Sequence, residues 1–146
     1  QILRQVLERD LHFIHDHLTA AANRPGDLTM RLRTVTLEFF ELATTRGVLL
    51  LSTLRQVAGM EHEFCLLMRD YREELHRPIV RLLQEAMAQG TIRTLDPELT
   101  TMSYFGILQV FATRHLIMND LKLDSNAADY IVDFVLNGLL PPPTSS

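Results

Sequence analysis

Three histidines and an aspartate fall within six positions at HFIHDH, residues 12–17. On a helix, His12 and His15 share a side with Glu8, in a row at i, i+4 and i+7. Two imidazoles and a carboxylate are a donor set that suits a divalent ion. His17 points the other way, beside Asp10. Arg72 and His76 stand one turn apart at the edge of an apolar stripe, where an arginine can hold a carboxylate or phosphate. The single cysteine, Cys65, follows Phe64 on an apolar flank and reads as a small core residue. No paired carboxylates and no nucleophile–base set accompany these groups, so a decorated helix face is the simpler account of the histidines. We therefore expect no enzyme, no cofactor and no metal. The alternative is a small all-α metal-binding protein or enzyme using Glu8, His12 and His15.

The elements that must position these residues are helical. The chain has 146 residues, 47% of them apolar and 22% charged, with six glycines and a net charge of −4. That is one packed domain, residues 1–140, followed by a solvated tail, PPPTSS, at 141–146. An acidic balance speaks against this chain itself gripping a phosphate backbone. One cysteine makes no internal disulfide, so a reducing cytoplasm is the expected location. The longest apolar stretch, LTTMSYFGILQVFATRHLIM, is interrupted by Gln109, Arg114 and His115, which suits a buried helix and not a membrane span.

Apolar residues recur at helical spacing in six segments. Leu3, Leu7, Leu11, Ile14 and Leu18 form the first stripe, which RPGD ends. Leu28, Leu32, Val35, Phe39 and Leu42 form the second, with Asp27 as its cap and Gly47 as its expected end. VLLLSTLRQVA makes a short third helix. The fourth runs from about Glu61 to Gln89, with Phe64, Met68, Tyr71, Leu75, Ile79 and Leu82 on one side and Gly90 as its stop. Asp96 and Pro97 open the fifth helix, and the sixth spans Ser125 to Leu140.

The fifth helix is apolar nearly all round. Met102, Gly106, Val110, Thr113 and Ile117 share one face; Tyr104, Leu108, Phe111 and His115 share the other. A helix apolar on both faces must be covered on both, and a second subunit is the natural cover for the strip at Gly106. Facing stripes also suggest an apolar ligand pocket lined by Phe39, Phe40, Phe64, Met68, Tyr71, Tyr104, Leu108 and Phe111. His17, Thr36, Tyr71, Tyr104, His115 and Arg72 are the groups able to orient a ligand there.

The stretch AQGTIRTLDPELTTMSYFGILQVF, residues 88–111, resembles the C-terminal domain of the tetracycline-repressor (TetR) family of bacterial transcription regulators. The wording QGTIRTLDPEL followed by an apolar helix with an internal glycine carries the resemblance, and the helix order extends it along the chain. Gln89 stands where an acidic residue is common, and Thr100 and Thr101 where alanine is common. The resemblance implies a homodimer built as a four-helix bundle from the last two helices, with Ala128, Ile131 and Val135 joining the fifth-helix strip. It implies a repressor whose small apolar or aromatic effector releases operator DNA. That DNA is read by an N-terminal helix-turn-helix that is not in this sequence, with readers spaced about 34–36 Å apart. A ligand-free interaction adaptor is the remaining alternative.

Overall fold

The computed structural model describes residues 2–57 and 61–138, with side chains described at 5, 8–47, 62, 66, 69–70 and 73–138. The fold is all-α. Among the described residues five helices follow in order: α1 (Ile2–Ala22), α2 (Leu28–Val57), α3 (Glu61–Ala88), α4 (Pro97–Thr113) and α5 (Ser125–Asn137). A π-helical turn at Arg114–Met118 prolongs α4 and ends at Asn119, whose φ is +52°. Among the described residues, no helix is long and apolar enough to cross a membrane.

The expected six helices are five because Gly47 lies inside α2 and does not end it. A glycine within a helix costs about 1 kcal/mol relative to alanine, and here a close approach accounts for it. A Cβ at position 47 would lie 2.8 Å from Cδ1 of Leu116, on the π turn.

Helix ends follow the local chemistry closely. Asp27 accepts the backbone N–H of Met30 at 2.9 Å, and Asp96 accepts those of Glu98 and Leu99 at 2.9 and 3.0 Å ahead of Pro97. Asp124 caps α5 through Ala127 N–H. Gly90, at φ +74°, ends α3: its N–H donates to Met87 O while that of Thr91 donates to Ala86 O, the double closure that satisfies the last carbonyls. Pro78 sits inside α3, and its ring leaves the carbonyl of Glu74 without the usual intrahelical donor.

Helix α2 is central and packs on every other element. The core joins Leu18 of α1, Leu32 and Val35 of α2, Leu75, Ile79 and Leu83 of α3, Leu108 of α4 and Ile131 of α5. Arg33 and Asp129 tie α2 to α5 across 2.6 Å at the surface.

Candidate functional site

The pocket residues fall into three groups. Phe39, Phe40, Tyr104 and Leu108 are buried in the shared core. Phe111 and His115 are half-buried, and the His115 ring donates from Nδ1 to the carbonyl of Leu121 at 2.8 Å. The side chains of Phe64, Met68, Tyr71 and Arg72, on α3, lie outside the described residues, as do those of Cys65 and Leu49–Leu51.

What α4 adds to the core is an aromatic cluster centred on Phe105, which the sequence reading did not single out. Phe39 meets it edge-on at 6.1 Å and Tyr104 at 5.4 Å, and His76 stacks flat on it at 4.5 Å. His76 is thus turned against α4 and not out along the surface. The signal was present: Thr101, Tyr104, Phe105, Leu108 and Ala112 are the buried residues of α4 and recur at three- and four-residue steps.

Tyr104 is spoken for within this core. Its hydroxyl lies 2.6 Å from that of Thr36, and Thr36 donates to the Leu32 carbonyl at 2.8 Å. Tyr104 is therefore the donor to Thr36. Burial pushes the Tyr104 phenol well above its ordinary range.

The opposite side of α4 is open. Leu99, Met102 and Val110 are 57%, 50% and 60% exposed, and Ile117 on the π turn reaches 63%. Gly106 and Thr113 are exposed along the same strip, and among the described residues nothing beyond the local helix backbone lies within 4 Å of where a Gly106 Cβ would stand. The α5 residues expected beside this strip differ in exposure within the single chain. Ala128 and Ile131 are fully buried in the chain's own core, and Val135 is packed against that core. Tyr130 is instead the exposed apolar side chain of α5, at 65%, stacked with Phe134 at 6.2 Å.

Among the described residues, two grooves flank these elements. One of about 220 Å³ lies between α3 and α4, lined by Glu73, His76, Arg77, Val80, Glu98, Leu99 and Met102, so it opens onto the apolar strip. A larger, polar one of about 660 Å³ runs between α1 and α3, past His15, Arg31, Glu74, Pro78 and Arg81.

The histidine row is spread over different surroundings. Glu8 and His12 are exposed, and among the described residues no three His, Cys, Asp or Glu side chains are grouped to hold an ion. His15 turns toward α3, 3.3 Å from Asp16 Oδ1, 3.4 Å from Thr19 Oγ1 and 4.0 Å from Glu74 Oε2. His17 donates from Nδ1 to the Phe13 carbonyl at 2.9 Å.

No protein-family model matches the chain, and no curated protein sequence does. The fold is nevertheless shared. The solved structure of a "Clostridium perfringens putative fatty acid metabolism regulator" aligns with 97% of this chain and 77% of its own, with a TM-score of 0.73 at 24% identity. At that identity the likeness is one of fold.

Proposed function

We propose that this chain is the effector-sensing and dimerisation domain of a TetR-like transcriptional repressor. A small, mostly apolar ligand binds among its helices and releases the parent protein from operator DNA. Operator contact is made through a helix-turn-helix module outside this sequence, since the chain's net charge of −4 supplies little of the electrostatic attraction on which DNA affinity rests. The domain works in the cytoplasm as a homodimer, without a cofactor and without catalysis.

The observation that carries this reading is the exposed strip on α4. Leu99, Met102, Val110 and Ile117 lie open at half or more of their surface, with Gly106 bare between them. A contiguous apolar strip of this kind marks a contact surface, and a second copy of α4 laid against it would make an interface resembling a divided core. The shared fold with a protein described as a fatty acid metabolism regulator supports the same reading. It also makes fatty acids and acyl thioesters the first ligands to test. Phe111, from the helix that bears the strip, together with Phe64, Met68, Tyr71 and Arg72 on α3, forms the proposed ligand wall. A ligand touching both helices would be linked to subunit geometry. Tyr104 leaves this set, because its hydroxyl is committed to Thr36.

A thermal-shift screen of fatty acids, acyl thioesters and aromatic compounds tests the ligand half. A ligand that binds only the folded chain stabilises it by about 2.7 kcal/mol at a hundredfold excess over its Kd. Hits should weaken when Met68 or Phe111 becomes arginine. No stabilisation by any of the three classes would favour the ligand-free adaptor.

A further inference from the structure

Arg46, near the middle of α2, holds α1 by two contacts of different kinds. Its Nη1 donates to Asp10 Oδ1 at 3.2 Å, and Asp10 is 6% exposed. Its guanidinium carbon also stands 3.7 Å from the centre of the Phe13 ring, a cation–π arrangement. Phe13 is backed in turn by the His17 ring, 4.0 Å away. One α2 side chain thus engages two successive turns of α1.

The next residue is Gly47, and its bare backbone receives Leu116 from the π turn. Among the described residues the π turn packs on α4 and α2 but makes no contact with α1. One path from the end of α4 to α1, beside the one through α3, therefore runs through Leu116, Gly47 and Arg46. A π turn holds one residue more than an α turn and is often found at functional sites. Any shift of α4, or rewinding of this turn, moves Leu116 against a glycine that has no side chain to absorb it.

We propose that Arg46 and Gly47 form a mechanical junction that passes the setting of the π turn at the end of α4 to α1. The coupling is a property of this chain's packing; its use in carrying an effector signal rests on the sensor reading above.

Amide hydrogen exchange on the whole chain, read by mass spectrometry, tests the junction. Leu116→Ala should raise exchange across residues 8–18 of α1 by roughly threefold or more, as expected when a local opening becomes easier. In an Arg46→Gln background the same change should add nothing to α1. Arg46→Lys is the second background, in case glutamine leaves the buried Asp10 too poorly satisfied to fold. It keeps a charge for Asp10 but lacks the planar group over Phe13, so the response should shrink without vanishing. Gly47→Ala, which presses on Leu116 from the other side, should reproduce the α1 pattern and replaces Leu116→Ala if that variant does not fold. An effect confined to α4 and the π turn, no change in α1, or an equal rise in every background overturns the proposal. No ligand, DNA or second subunit enters this readout. Its failure would leave the sensor reading standing, and a failed ligand screen would leave the junction standing.

Discussion

The hydroxyls of Thr36 and Tyr104 meet 2.6 Å apart in the core, joining α2 to α4 through a hydrogen-bond chain that ends on the Leu32 carbonyl. Removing each end has a different cost. Tyr104→Phe deletes a donor and leaves Thr36 still bonded to Leu32, so about 1 kcal/mol is lost. Thr36→Val leaves a buried phenol with only a long 3.4 Å contact to the Leu32 oxygen, and should cost about 2 kcal/mol. Urea unfolding of the two variants checks the order. Tyr104→Phe proving the more damaging would contradict this assignment of donor and acceptor.

The same tyrosine makes the fold sensitive to alkali. Burial raises the Tyr104 phenol above its ordinary value of 10.0, so the folded state favours the neutral form. The stabilisation is whole below about pH 10 and is lost as the pH climbs through the raised folded value. Thermal melts from pH 8 to 11 should fall more steeply for the wild type than for Tyr104→Phe. Parallel profiles would show that Tyr104 is not the group responsible.

Asp96 starts α4 by accepting two backbone N–H groups. Asp96→Ala should cost about 1 kcal/mol and Asp96→Asn much less. Denaturant midpoints for the pair test this, and equal losses would mean that charge, not hydrogen bonding, makes the cap.

What the sequence shows of this fold is what depends on neighbours along the chain. Asp96–Pro97, Asp27 and Gly90 mark helix ends because each acts on backbone groups within four residues. Gly47 misled for the opposite reason: its partner is Leu116, brought close only by the tertiary fold. The strip at Met102, Gly106 and Val110 was visible as an apolar face, and its exposure follows from α2 and α3 covering the other side. Which face of α5 points inward was not visible. Ala128 and Ile131 are apolar in either role, and only the packing of α5 on α2 assigns them to the chain's own core. Phe105 was missed because a helix apolar all round offers several stripes, and spacing does not rank them.

The histidine face should be expendable. Glu8 and His12 are exposed, and His15 is engaged by Asp16, Thr19 and Glu74. Adding zinc to chelator-treated protein should leave the melting temperature of the wild type and of His12→Ala/His15→Ala alike. Stoichiometric metal bound by the wild type and lost in the double variant would restore the metal-site reading.

The strip along α4 is expected to be covered by a second copy of the chain. Sedimentation equilibrium at micromolar concentration measures this directly. We expect a particle of twice the 16.7 kDa chain mass, falling to the single-chain mass in Met102→Arg/Val110→Arg while far-UV circular dichroism is unchanged. Those two side chains are half or more exposed in the protomer, so arginine there should disturb the interface and not the core. A wild type that sediments at 16.7 kDa throughout the micromolar range would contradict the account.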